Sequence, residues 1–162
     1  MLMTDQRKGI VDELLFLLQK GNAHVSFEEA VADLPKALRS VTPDNLPYNV
    51  WQLVEHIRIT QWDIVQFCIS AQHQSPPWPS GYWPKATTQP VDDKAWNASL
   101  QQIQDDKKRF IALITDTDND LYKPFAHGTG QSLLREALLI ADHTSYHTGE
   151  IVIVRRLLKS WK

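Results

Sequence analysis

The sequence predicts an all-α protein: a four-helix bundle with a short accessory helix and one long crossover loop. Three observations carry that prediction. Apolar residues recur at three- and four-residue spacing in four long segments. No stretch alternates strictly enough for a half-buried strand, and no segment repeats. Two long irregular connections separate the helical segments, which suits a bundle rather than an α/β layer. A chain of 162 residues is long enough to fold around one core, burying roughly 70% of its unfolded surface. A single domain over 1–162 is therefore expected.

Thr4 is a candidate N-cap for the first helix, with Asp5 in its first turn. Ile10, Leu14, Leu17 and Leu18 then keep helical spacing until Gly21 ends it. Ser26 with Glu29 three residues on is a capping-box signature for a shorter helix. That helix is expected to run past Leu34 toward Leu38, with Pro35 kinking it or opening another turn. Asn49 caps the next helix, over Val50 to Ser70. Its apolar stripe is Val50, Leu53, Val54, Ile57, Ile64, Val65 and Cys68, with Gln61 the one polar member.

Residues 73–90 hold five of the nine prolines together with Trp78, Tyr82 and Trp83. Proline at that density excludes a helix or central strand, and three large aromatics are unsuited to a flexible linker. The segment reads as an ordered crossover loop packed over the bundle. Asp92 or Asp93 caps the next helix, whose inward face is Trp96, Leu100, Ile103, Phe110, Leu113 and Ile114. Asp116, Asp118 and Asp120 lie in the second irregular stretch. They lack the spacing and terminal Glu of a calcium loop and read as turn and cap residues. The last helix runs from about Ser132 to Lys159, with Arg155, Arg156 and Lys159 at the negative end of its dipole.

Seventeen basic and nineteen acidic side chains give a net charge of −2, so nothing advertises nucleic acid or an anionic membrane as partner. Cys68 is the single cysteine, which excludes an intramolecular disulfide and is compatible with a reducing cytoplasm. It falls in an apolar stripe and reads as a small core residue. Asp5, Arg7, Lys8, Asp12 and Glu13 come too early to leave the apolar region of a signal peptide. The expectation is a soluble cytoplasmic protein.

His143 and His147 lie one helical turn apart, so both rings project from the same side. The pair is not a zinc-protease motif, because Thr144, Ser145 and Tyr146 occupy the positions between and no Glu is among them. His56 sits at the edge of another helix's apolar stripe. Packing of the two helices would bring three neutral imidazoles to one divalent cation and leave coordination positions open. Imidazole-only donors suit Zn²⁺ or Ni²⁺ rather than Mg²⁺ or Ca²⁺. Glu55, Asp63 and Asp142 are candidate acceptors for the second ring N–H groups, and equally suit a charged surface. Glu150 reads first as a surface or cap-type residue; three residues past His147, it is also a minor candidate for the site. Trp78, Tyr82 and Trp83 could roof a substrate pocket, seal the end of the core, or both. His24 reads as structural, His127 as solvated, and His73 as a residue at the start of the crossover loop.

Three stretches of the sequence resemble the DinB superfamily: Val50-Trp51-Gln52-Leu53-Val54-Glu55-His56, Asp142 through Glu150, and Val154-Arg155-Arg156-Leu157-Leu158. The resemblance extends over nearly the whole chain. It implies an up-down-down-up bundle, often homodimeric, with a three-histidine zinc or nickel site at His56, His143 and His147 completed by waters. Some relatives are transferases or isomerases that use low-molecular-weight thiols. A glutamine is associated with the position that Glu150 occupies here. Three functions of different class follow as expectations. One is a metal-dependent enzyme, a thiol S-transferase or hydrolase. Another is a non-catalytic metal- or ligand-binding stress protein. A plain helical interaction module, with the three imidazoles far apart, is the third.

Overall fold

A computed structural model describes residues 2–21, 23–85, 87 and 89–161, with the backbone alone for residues 2–4. Five α-helices and one 3-10 turn make up its regular structure: α1 (Leu2–Lys20), α2 (Phe27–Val31), the 3-10 turn Lys36–Leu38, α3 (Val50–Ile69), α4 (Asp93–Thr115) and α5 (Leu133–Leu157). No strand occurs among the described residues. None of their helices is long and apolar enough to cross a membrane.

The contacts along each helix fix its direction. Val50 to Ile57 at the start of α3 meet Trp96 and Ile103 of early α4 and Ile151 and Val154 of late α5. At the other end, Ile64 and Val65 meet Phe110 and Ile114 of late α4 and Leu133, Ala137 and Ile140 of early α5. Thus α3 and α4 run parallel and α5 runs against both. Near the start of α1, the Arg7 guanidinium donates to the carbonyls of Ile114, Asp116 and Asn119, at and just past the end of α4. That contact sets α1 against α4, and the order is up-down-down-up. A parallel α3–α4 pair needs a connection that returns along the bundle, which residues 70–92 supply.

Capping decides most boundaries. Asn49 accepts from the Gln52 backbone N–H at 3.0 Å, and the Gln52 side chain accepts from the Asn49 N–H at 3.2 Å. Ser26 with Glu29, Asp92 and Ser132 cap α2, α4 and α5. Gly21 terminates α1 with φ 65°.

Three boundaries differ from expectation. The first helix already includes Leu2, so Thr4 lies inside it rather than at its cap; the Thr4 side chain is outside the described residues. The second helix stops at Val31, where Ala32 turns extended and Asp33 takes φ 54°; Pro35 then opens the 3-10 turn. The last helix ends at Leu157, and Lys159 takes the left-handed conformation (φ 53°) that usually falls to glycine.

The one polar member of the α3 stripe, Gln61, is buried and donates to the Ile103 carbonyl at 2.6 Å. It ties α3 to α4 at mid-height instead of facing water.

Candidate metal centre

The crossover segment folds as a strap along α3, beside the place where α3 and α5 meet. Tyr82 carries it. Its hydroxyl donates to Asp63 Oδ2 at 2.6 Å, and His73 Nε2 lies 2.6 Å from Asp63 Oδ1. The strap is thereby stitched to α3 through one carboxylate. About two turns earlier along α3, the strap makes a second contact: the Tyr82 carbonyl accepts from His56 Nδ1 at 2.9 Å. Trp83 then lies flat on the His56 ring, with centroids 3.9 Å apart and planes 8° apart.

Three imidazoles converge beneath that strap. Ring centroids are 4.8 Å apart for His56–His143, 4.6 Å for His56–His147 and 4.5 Å for His143–His147. One nitrogen from each ring lies within 4.8 Å of the others. His147 Nδ1 stands 2.6 Å from Glu150 Oε2, and Tyr48 donates to Glu150 Oε1 at 2.6 Å. With Nδ1–H of His56 and of His147 given to oxygen acceptors, both rings turn an Nε2 lone pair inward.

Burial acts in the same direction. It lowers the pKa of His56, against a smaller opposing effect of the Tyr82 carbonyl. It also takes His143 down to about 3, helped by repulsion from its two neighbouring rings. Neutral rings with inward lone pairs are the form that binds a cation.

The spacing of one donor pair meets the requirement of such an ion. Two nitrogens bound at about 2.0–2.1 Å, at right or tetrahedral angles, stand about 2.9–3.4 Å apart. His56 Nε2 and His143 Nε2 are 3.0 Å apart. The residues present therefore fit a divalent ion of the kind that takes imidazole.

The cluster opens on a cavity of about 610 Å³. Besides the three histidines, its walls include Tyr48, Trp78, Tyr82, Trp83, Tyr146 and the two carboxylates Asp63 and Glu150. Thr60 and two aliphatic side chains, Ile64 and Leu139, complete the described lining.

The family model of the DinB superfamily matches residues 22–151. This chain belongs to the DinB superfamily. No curated protein and no solved structure matches it significantly. In this DinB-superfamily chain the matched region spans all three histidines, the strap and Glu150.

The remaining sequence candidates divide. Trp83 is half-buried and does two things at once, covering His56 and packing against the core that α3, α4 and α5 share. Trp78 lies at the cavity edge, 76% exposed. Asp63 lines the cavity but holds the strap and touches none of the three rings. Glu150 is the carboxylate that meets one.

Glu55 and Asp142 do not reach the site, which corrects the expectation for both. Glu55 takes a bidentate pair from Arg58 at 2.7 and 2.8 Å and a hydrogen bond from Ser99 at 2.6 Å, between α3 and α4. Asp142 is exposed beside Leu138 and Leu139, on the face of α5 toward α1.

The other histidines have local partners. His24 bridges the Val25 carbonyl and Ser145. His127 is exposed, as expected of a solvated loop residue, yet its Nε2 also meets the Phe67 carbonyl at 2.9 Å. Sequence reasoning did not find two parts of the site, Tyr48 and the Tyr82 carbonyl. Tyr48 lies just before the Asn49 cap and carries no motif. A backbone carbonyl carries no signal in the residue type at all.

Proposed function

We propose that this chain is a metal-dependent enzyme in which His56, His143 and His147 hold a zinc or nickel ion. We further propose that it transfers a low-molecular-weight thiol to an electrophile, or else hydrolyses its substrate. The observation that carries this reading is the 3.0 Å approach of the His56 and His143 Nε2 atoms at the floor of an open cavity. A bound ion there would supply Lewis acidity and lower the pKa of a water or thiol ligand.

The chain's own residues set the conditions. The Tyr82 carbonyl and the Glu150 carboxylate fix the tautomers of His56 and His147. Tyr48 orients Glu150 in turn, and burial holds its hydroxyl protonated, because its pKa is raised. Trp83 shields one face of His56 from water. Asp63 and Glu150 each accept two hydrogen bonds of 2.6 Å, so both are committed to positioning. The described lining offers no other carboxylate as a general base.

Elemental analysis of the purified protein, of His56→Ala and of His143→Ala tests the ligand assignment. Near-stoichiometric zinc or nickel in the wild type and its loss in both variants are expected. Equal metal content in all three proteins would defeat the assignment.

A second reading, a non-catalytic metal-binding stress protein, draws on the burial of His56 and His147, where an ion would tie α3 to α5. Metal-dependent turnover of any thiol and electrophile pair would remove it.

A further inference from the structure

We infer that the guest of this cavity is an uncharged aromatic compound, such as an aromatic thiol, rather than a thiol that carries carboxylates. The inference rests on the metal reading above for the guest's head group and on the cavity walls for the rest of the guest.

Charge is the first argument. None of the described residues lining the cavity is Lys or Arg, and two are carboxylates. Beyond the ion itself, a carboxylate on the guest would find no cation to pair with. It would lose hydration beside Asp63 and Glu150, which is unfavourable on both counts. Each oxygen of those two groups already accepts one hydrogen bond, from Tyr48 and His147 on Glu150 and from His73 and Tyr82 on Asp63.

Shape is the second argument. Five of the lining side chains are Tyr or Trp. Two of them stand at the mouth with most of their surface in water: Trp78 is 76% exposed and Tyr146 65%. They come from different walls, Trp78 from the strap and Tyr146 from α5. Each has one aromatic neighbour among the described rings. Trp78 leans on Tyr82, with centroids 5.5 Å apart, and Tyr146 meets His147 edge-on at 4.9 Å. Rings left open in this way at a pocket entrance offer stacking surface to a flat guest. The volume, about 610 Å³, accommodates a molecule of ordinary ligand size.

The test uses the full chain in two arms. In the first, metal content is fixed by elemental analysis, and the zinc-loaded protein is titrated with phenylmethanethiol and with mercaptosuccinate. Binding is followed by calorimetry and tryptophan fluorescence. Phenylmethanethiol is expected to bind at least about 10-fold more tightly. Trp78→Ala, at an exposed position that leaves the fold intact by circular dichroism, is expected to weaken the aromatic thiol about 5-fold and leave mercaptosuccinate unchanged.

In the second arm, the metal-free protein is titrated with benzyl alcohol and phenylacetate. Here the walls act without an ion, and the alcohol is expected to bind more tightly. Equal or tighter binding of mercaptosuccinate in the first arm, or of phenylacetate in the second, overturns the inference. So does failure of both uncharged aromatic probes, phenylmethanethiol and benzyl alcohol, or a Trp78→Ala affinity for phenylmethanethiol equal to wild type. A protein that takes no zinc but prefers benzyl alcohol in the second arm defeats the metal reading and keeps the aromatic one.

Discussion

Glu150 Oε2 stands 2.6 Å from His147 Nδ1, one helical turn along α5, and the other oxygen of the same carboxylate takes the Tyr48 hydroxyl. A carboxylate behind an imidazole fixes its tautomer and raises its basicity, and loss of such a partner typically costs about 10–100-fold in metal affinity. Glu150→Gln keeps the size and removes the charge. Its amide can still accept from one donor but not from both. We expect zinc or nickel affinity to fall about 10-fold, with Tyr48→Phe falling less. Competition against a chromogenic chelator measures both. An unchanged affinity in Glu150→Gln would show that the carboxylate does not act through His147.

Added metal should stabilise the fold. An ion that binds the native state alone contributes RT ln(1 + [L]/Kd), about 2.7 kcal/mol at a hundredfold excess over Kd. For a domain of this size that is a Tm rise of about 5–10 °C. The rise should appear with Zn²⁺ or Ni²⁺, be reversed by a chelator, and be absent in His143→Ala. A scanning-fluorimetry titration reads all three.

The contrast between Glu150 and the two misplaced carboxylates shows what was legible in the sequence. Glu55 and Asp142 are chain neighbours of His56 and His143, and adjacent residues on a helix point about 100° apart. Glu150 lies three residues past His147 and so returns to nearly the same side. Helical spacing was likewise enough to put His143 and His147 together and to set His56 at the edge of its stripe. The strap was legible as ordered, from its prolines and aromatics. Its role was not, because its key contact to His56 is a main-chain carbonyl. The long reach from Tyr48 to Glu150 was hidden for a different reason: it depends on how the start of α3 meets the end of α5, which no local pattern encodes.

Asn49 is fully buried, and its side chain makes three contacts. Oδ1 accepts from the Gln52 N–H at 3.0 Å, and Nδ2 approaches the Ser40 carbonyl at 3.2 Å and Thr42 Oγ1 at 3.3 Å. Asn49→Ala removes a cap and leaves buried groups unpaired. The expected loss is about 2 kcal/mol, seen as a Tm lower by about 4–8 °C. Asp92→Ala, at an exposed cap, should cost less. Thermal melts of the two variants side by side decide the order.

Two glycines near the site should respond oppositely to alanine. A Cβ at Gly81 would lie 2.6 Å from Pro76 Cβ, 2.8 Å from Pro77 Cδ and 2.9 Å from the Pro77 carbonyl, so the strap must shift. The next residue is Tyr82, which holds both Asp63 and His56. Gly81→Ala is therefore expected to lower metal affinity several-fold as well as Tm. Nothing stands within 4 Å of a Cβ at Gly149, which lies inside α5. Gly149→Ala should raise stability by up to about 1 kcal/mol through helix propensity alone. Chelator competition and thermal melts on the pair separate strap geometry from general destabilisation.

Burial, with a smaller contribution from Glu136, pushes the Cys68 thiol up to about 12. An unfolded cysteine titrates near about 8.5. The neutral thiol is thus favoured by folding. The stability this contributes is fully present below about pH 8.5 and is lost as pH rises from there toward about 12. Two measurements follow. At pH 8 a disulfide reagent such as DTNB should react slowly with the native protein and at once in guanidinium, because the thiolate is the attacking form. Between pH 8 and 10.5 the Tm of wild type should fall more steeply than that of Cys68→Ala. Parallel slopes would show that Cys68 does not contribute to the alkaline limb, and rapid native labelling at pH 8 would show a thiol far more acidic than its surroundings allow.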